Sequence, residues 1–90
     1  MTENEVLAFN QAVCARVRAL RDAKGWTAEQ LATALGIPPD RYRKYETRSP
    51  LPHYLIERFA LITDREISFV LTGRSDARIV NFPSHKMRSA

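Results

Sequence analysis

The sequence predicts an all-α fold: a compact five-helix domain over residues 1–74, followed by a short C-terminal tail over residues 75–90. Apolar residues recur at helical steps of three and four, and Gly, Pro and Thr–Asp breaks separate the segments that carry them. Ninety residues make one small domain, for which a compact helical core is the economical way to bury apolar surface.

The first helix is predicted from Val6 onward, because apolar residues there form a single stripe. The stripe consists of Val6, Phe9, Val13, Val17 and Leu20. Cations in its C-terminal half complement the helix dipole, and Gly25 is well placed to end the helix in a left-handed conformation.

The second helix has a nearly complete start signal. Thr27 is the expected N-cap, and Gln30 three residues later completes a capping box. Trp26 and Leu31 flank that box as a hydrophobic staple, so we assign Trp26 a structural role rather than one in stacking on nucleic acid. Gly36 ends the helix.

The third helix, predicted over Pro39–Tyr45, has an aromatic back and a charged front. It follows a proline pair, and proline at the first helical position loses no hydrogen bond. Tyr42 and Tyr45 are three residues apart and should face the core together. The opposite side carries Asp40, Arg43 and Lys44, with Arg41 near the flank.

Two further helices complete the domain. The loop 47–52 cannot be helical through its two prolines, so the fourth helix is predicted from about Pro52 to Ile62. The fifth, ISFVLT, ends at Gly73. Within the tail, residues 78–82 (RIVNF) form a short strand if a partner supplies a sheet edge, and are otherwise disordered.

The net charge of +4 is concentrated in two short segments. Residues 1–37 carry four cations and four anions, and residues 49–75 carry three of each. The excess comes from residues 38–48 and 76–90, at +2 each. A cationic third helix suits a polyanionic partner, although a solvated helix face would show the same charge.

Several classes of protein are disfavoured by what the sequence lacks. No apolar run approaches the roughly 20 residues of a membrane span, and the acidic start MTENEVLAF lacks the features of a signal peptide. We therefore expect a cytoplasmic, nucleoid-associated protein. Cys14 is the only cysteine and is expected to be a small buried hydrophobe, and neither His53 nor His85 has a spaced partner for a metal site. We expect no enzyme, no cofactor and no small-molecule ligand.

The chain resembles the lambda-repressor/Cro-like (XRE) helix-turn-helix family from about residue 16 to residue 74. The resemblance rests on RVRALRDAKGWTAEQLATALGI, on the YE that closes the third helix, and on ISFVLTGR near the end. It implies that Pro39–Tyr45 is the recognition helix. It also implies that Arg21 pairs with Glu46 to clamp this helix against the first one.

Three positions depart from the family pattern. Ala28 stands where the family usually has Gln at the start of the second helix, and Pro38 where a Ser or Thr caps the third. Arg48 stands where a Gly often follows the closing Glu. The first two remove polar groups near phosphate and the third restores one, so we expect the backbone contacts to be redistributed.

The expected DNA contacts divide into base-reading and phosphate-binding residues. Arg43 and Lys44 suit the O6 and N7 acceptors of guanine, and Asp40 suits cytosine N4 or the helix dipole. Loop side chains or amides suit phosphate, as does Arg21. The expected DNA-binding residues are Pro39, Asp40, Arg41, Arg43, Lys44, Thr47, Arg48, Ser49, Arg21, Thr27 and Ala28.

The sequence thus predicts a sequence-specific, double-stranded DNA-binding transcriptional regulator. With no effector domain, its simplest mechanism is repression by promoter occupancy, although activation through contact with polymerase needs no extra domain either. We expect a homodimer on a pseudo-palindromic operator, with recognition helices about 34 Å apart. Phe69, Val70 and residues 78–82 are the candidate dimer contacts, although Phe69 could equally fill the core. The alternative is an antitoxin-like or adaptor module that keeps the fold and binds a protein.

Overall fold

The computed structural model describes residues 1–74, which fold into five helices and contain no strand. The helices are α1 (Glu3–Lys24), α2 (Ala28–Leu35), α3 (Pro39–Lys44), α4 (His53–Thr63) and α5 (Ile67–Thr72). This confirms the all-α, five-helix prediction. Within this part of the chain, no helix has both the length and the apolar character needed to cross a membrane. The tail, with the strand or disorder predicted for it, lies outside the described residues.

Helix α1 begins at Glu3, ahead of the start predicted at Val6. The Thr2 hydroxyl accepts a hydrogen bond from the Glu5 amide at 3.1 Å, and the Glu5 carboxylate accepts one from the Thr2 amide at 2.8 Å. This reciprocal pair is a capping box that satisfies two amides otherwise left without an intrahelical acceptor. The extra turn therefore comes from a local polar signal and not from the apolar stripe.

The capping box predicted for α2 is confirmed, and so is its glycine stop. The Thr27 hydroxyl accepts from the Gln30 amide, and the Gln30 side chain accepts from the Thr27 amide. Gly36 has φ +78°, a left-handed conformation that disfavours any residue with a Cβ atom. Its amide donates to the carbonyls of Ala32 and Thr33, which closes α2 and turns the chain toward α3.

One hydrophobic core receives side chains from all five helices. The aromatic pair Tyr42 and Tyr45 is buried, as predicted, and Phe59 of α4 is completely buried beside it. Ala32 is also completely buried, and its small side chain permits the close packing of α2 against its neighbours. The remaining core residues are Val13, Val17, Leu20, Leu31, Leu35, Leu51, Leu55, Ala60 and Val70. Cys14 is buried as expected.

Two sequence-based expectations about apolar residues are corrected. Val6 and Phe9 continue the stripe of α1 but remain exposed, because α1 extends beyond the core. Val70 was a candidate dimer contact, yet it is completely buried and so cannot face a partner. Phe69 packs against the core, and the Arg65 guanidinium lies 3.6 Å from its ring centroid. Helix α5 is therefore held mainly by its own domain.

Arg16 of α1 forms a hydrogen bond to α5. Arg16 Nη1 donates to the carbonyl of Val70 at 3.0 Å, which satisfies one of the acceptors left free at the C-terminal end of α5. Gly73 lies directly beside the same guanidinium, and a Cβ atom at this position would stand 3.1 Å from Arg16 Nε. The contact therefore needs glycine both for its left-handed φ of +78° and for space.

Candidate nucleic-acid interface

Helices α2 and α3 form the unit that presents the charged surface. After the Gly36 turn, Ile37 packs against the core, and Pro38 takes the N-cap position of α3 in an extended conformation. Pro39 then occupies the first helical position, as the proline pair predicted. Helix α3 is six residues long and ends at Lys44, one residue before the predicted end, with Tyr45 as its C-cap. Its packing against α2 fixes the direction in which its front faces.

The segment at the end of α3 is fastened to α1 by a partly buried ion pair. Arg21 Nε donates to Glu46 Oε2 at 2.6 Å, and Arg21 Nη2 donates to Glu46 Oε1 at 3.0 Å. The third nitrogen, Nη1, donates to the Trp26 carbonyl at 2.8 Å. The Tyr42 hydroxyl also donates to Glu46. All three guanidinium nitrogens thus donate within the protein, which supports the structural role of Arg21 over phosphate contact.

The protonation states of this cluster are fixed by its own contacts. The hydrogen bond to Glu46 raises the pKa of the Arg21 guanidinium. Burial raises the pKa of the Tyr42 phenol, and its bond to Glu46 adds to the rise. Burial also acts to raise the pKa of Glu46, but the bonds from Arg21 and Tyr42 outweigh it, so this pKa is lowered. At neutral pH the cluster therefore contains one cation, one anion and one neutral phenol.

The front of α3 is exposed, as predicted, but its charge is partly balanced. Arg43 Nη1 donates to Asp40 Oδ1 at 3.0 Å, and Arg43 Nη2 donates to Glu29 of α2. Lys44 makes no side-chain hydrogen bond or ion pair within residues 1–74. Pro39 is exposed beside them. The two predicted reading cations thus differ, because one is oriented by carboxylates and the other is free to move.

Arg41 is held by two phenols at the flank of α3. Its Nε donates to the Tyr45 hydroxyl oxygen at 3.0 Å, and its Nη2 donates to the hydroxyl oxygen of Tyr54, near the start of α4. The bond to Tyr45 is the main cause of the raised pKa of Arg41. The guanidinium remains at the protein surface, so its other N–H groups can still meet an external acceptor.

The loop after α3 can present side chains to phosphate, but its backbone amides already donate within the protein. The amides of Thr47, Arg48 and Ser49 all donate to the Lys44 carbonyl, so the amide contacts with phosphate considered above are disfavoured. The Thr47 hydroxyl donates to the Arg43 carbonyl at 3.1 Å. The Ser49 carbonyl accepts from Cys14 Sγ at 3.3 Å, which ties the loop to α1. The Arg48 side chain is exposed and makes no hydrogen bond or ion pair within the described chain.

Two predicted DNA-binding residues, Thr27 and Ala28, lie at the start of α2, where both also contribute to the fold. Thr27 is exposed, but its hydroxyl already accepts the capping hydrogen bond. Ala28 packs against the core and is only half-exposed. Trp26 is also half-buried against the core, with Lys24 Nζ 4.5 Å from its ring centroid. This packing agrees with the structural role assigned to Trp26.

Two residues at this surface were not identified from the sequence. Glu29 lies 14 positions before the arginine it binds, and Tyr54 lies 13 positions after its own arginine partner. Neither spacing is a pattern within one helix, so no local signal could have found them. Residues 1–74 contain no group of three or more His, Cys, Asp or Glu side chains placed to hold a metal ion.

One comparison with known proteins agrees with this geometry. Searches of curated proteins and of solved structures return no match. A family model described as a helix-turn-helix domain matches residues 13–61, which is more than half of the chain. The matched region contains the whole α2–turn–α3 unit and both members of the Arg21–Glu46 pair. The resemblance identified from the sequence is thereby confirmed, and the chain belongs to the helix-turn-helix domain family.

Proposed function

We propose that this protein is a sequence-specific, double-stranded DNA-binding transcriptional regulator that acts as a homodimer and represses by occupying promoters. The observation that carries the proposal is the two-sided construction of α3. Its back is fixed by buried Tyr42 and by the bidentate bond between Arg21 and Glu46, while its front projects Arg43 and Lys44 into solvent. A short helix held in this way is suited to enter the major groove. The helix-turn-helix family is typically non-enzymatic, and we propose no catalytic step.

The front of α3 provides chemistry for reading bases. The pairing of Arg43 with Asp40 and Glu29 restricts its rotamers, so a guanidinium fork facing guanine O6 and N7 loses less conformational entropy on binding. Asp40 supplies an acceptor for cytosine N4 next to that fork. Lys44 is free to reach a second acceptor. This combination favours a G·C-containing half-site.

Phosphate contacts are assigned to the flank of α3 and the following loop. Arg41 is oriented by Tyr45 and Tyr54 while keeping free N–H groups, and Arg48 has no partner within residues 1–74. Both arginines lie beside the charged front of α3 and not on it. Such contacts set register and affinity, whereas base contacts set selectivity.

The direct test of the proposal is titration of duplex DNA at several salt concentrations. We expect binding to a randomised duplex pool to weaken linearly on a log–log plot, with a slope of about −0.9 for each phosphate neutralised. Selection from the same pool should return a sequence motif with two related halves. Binding that is insensitive to salt, together with retention of a protein partner, would instead favour the protein-interaction alternative.

Arg41→Ala is expected to weaken binding to every duplex by a similar factor, roughly 3- to 10-fold, and to reduce the salt slope by about 1. The reason is that Arg41 contacts the backbone and carries no base information. Tyr54→Phe should act in the same direction but less strongly, since it removes only one of the two hydroxyls that orient the guanidinium and leaves the cation in place. Arg65→Ala, which removes a cation beyond the other end of α4, is the control. A loss confined to one base pair of the selected motif would show that Arg41 reads a base.

A further inference from the structure

Arg43 is bound at two of its nitrogens by carboxylates from two different helices. Its Nη1 donates to Asp40 Oδ1 at 3.0 Å, within α3, and its Nη2 donates to Glu29 of α2. The side chains of this cluster stay accessible, with 47% of Arg43 and 58% of Glu29 exposed. The guanidinium is therefore held by the protein and is still open to an external acceptor.

The bond from Glu29 adds a constraint that the bond from Asp40 does not provide. A guanidinium is planar, so one hydrogen bond lets it turn about that bond, whereas bonds at both terminal nitrogens fix its plane. Asp40 lies three residues before Arg43 on the same helix, and 96% of its side chain is exposed. Glu29 lies 14 positions before Arg43 and is carried by α2, which packs against α3. The orientation of the guanidinium therefore depends on the packing of these two helices.

We propose that Glu29 is a positioning residue that determines the DNA specificity of this protein through Arg43. The inference rests on the proposed DNA-binding function and deepens it. At a matching site, guanine O6 and N7 lie in one plane and accept from the oriented guanidinium. At any other site, Arg43 must leave Glu29 to reach a phosphate, and the released carboxylate then faces a polyanion. Glu29 thus favours the matching site and disfavours all others.

Lys44 is a cation on the same helix without such a restraint. It makes no side-chain hydrogen bond or ion pair within residues 1–74, so it can follow a phosphate or a base acceptor at any sequence. Glu29 has a second role that must be separated from positioning, because it lies in the first turn of α2 and complements the helix dipole there. A change in helix stability would alter binding to every duplex by the same factor.

The test measures the affinity of wild type and Glu29→Gln for the selected motif and for a randomised duplex pool, by fluorescence anisotropy. Glutamine keeps the size of the side chain and removes its charge. Motif binding is expected to weaken roughly 3- to 10-fold, because Arg43 must then be ordered on binding. Binding to the pool is expected to tighten about 2-fold, because one anion leaves the interface. The two affinities should therefore move in opposite directions.

Glu3→Gln is the charge-matched control. Glu3 is exposed at the start of α1, about 27 Å along the helix from Arg21, the residue of α1 that binds the end of α3. This variant should leave the ratio of the two affinities unchanged. In an Arg43→Ala background, Glu29→Gln should also leave the ratio unchanged, because no guanidinium remains to be positioned.

A measurement on the free protein tests the positioning without DNA. Nuclear magnetic resonance relaxation of the Arg43 Nε–H group should show restricted motion in wild type and faster motion in Glu29→Gln. Equal motion in the two proteins would overturn the inference whether or not the chain binds DNA.

The DNA measurements separate failure of this inference from failure of the proposed function. If Glu29→Gln changes both affinities by the same factor, Glu29 acts only on helix packing or on net charge, and the inference is overturned while the proposed function stands. If wild type binds all duplexes equally or none, the proposed function is wrong, and the specificity role of Glu29 is overturned with it.

Discussion

Replacement of Glu46 by Ala is expected to lower the free energy of unfolding by about 3 kcal/mol or more. The substitution leaves the Arg21 guanidinium, whose side chain is only 14% exposed, without the carboxylate that accepts two of its bonds. It also removes the acceptor of the buried Tyr42 hydroxyl. For a domain of this size the melting temperature should fall by roughly 12–24 °C, measured by thermal circular dichroism.

Glu29→Ala provides the control for this prediction. It removes the same side chain and also breaks an ion pair with an arginine, but Glu29 is 58% exposed. Exposed pairs of this kind contribute about 0–1 kcal/mol, so its melting temperature should stay close to that of the wild type. Equal losses in the two variants would show that the Arg21–Glu46 pair is no more important than a surface contact.

The stabilisation by Glu46 should also depend on pH in a defined direction. The pKa of Glu46 is lowered in the folded protein, so its contribution is complete above the ordinary Glu pKa of about 4.3. It is lost as the pH falls through the lower folded value. The difference in unfolding free energy between wild type and Glu46→Gln, measured with denaturant, should therefore be large at pH 7 and shrink below about pH 4. A difference that stays constant to pH 2 would contradict the lowered pKa.

Replacement of Arg43 by Ala is expected to weaken binding to the selected DNA motif by roughly 10- to 100-fold, the equivalent of one good bidentate base contact. Two effects act together. The fork proposed to recognise guanine is lost, and the carboxylates of Asp40 and Glu29, which Arg43 balances in the wild type, are left without their cation on the proposed DNA-facing surface. Lys44→Ala removes only a cation and should cost less. Fluorescence anisotropy with the selected motif and with single-base variants measures both effects.

The two contributions can be separated by adding Glu29→Gln to the Arg43→Ala variant. Removal of one unbalanced carboxylate should recover affinity for all duplexes without restoring preference at the guanine position. Arg65→Ala again controls for the loss of one positive charge at a distance. An Arg43→Ala variant that matches this control would mean that Arg43 serves only to hold α2 against α3.

Local sequence patterns were sufficient to predict most of the helix boundaries and the core-facing side of α3. The start of α2 was predicted because Thr27 and Gln30 satisfy each other's amides, and its end because Gly36 tolerates a left-handed φ. The aromatic back of α3 followed from the spacing of Tyr42 and Tyr45. The pairing of Arg21 with Glu46 was implied by the family resemblance and is present. Each of these predictions depends on groups within one helix turn or on a known motif.

The features that were missed depend on how helices cross. The partners of Arg41 and Arg43 come from neighbouring helices, so their identity is set by tertiary packing. In the six-residue α5 the sequence suggested both Phe69 and Val70 as dimer contacts and did not identify Val70 as a core residue, because so short a helix has too few apolar positions to define one face. The earlier start of α1 was different, since the Thr2–Glu5 pair is a local signal that the apolar stripe alone did not include.

The bond between Arg16 and the Val70 carbonyl has a consequence for how the protein is made. These residues are 54 positions apart, and Val70 is also one of the completely buried core residues. During translation α1 leaves the ribosome before α5, so the part of its surface that α5 covers stays open until residue 70 has emerged. The contact between the first and last helices therefore forms late, and a chain interrupted before Val70 lacks both that core side chain and the carbonyl that Arg16 binds.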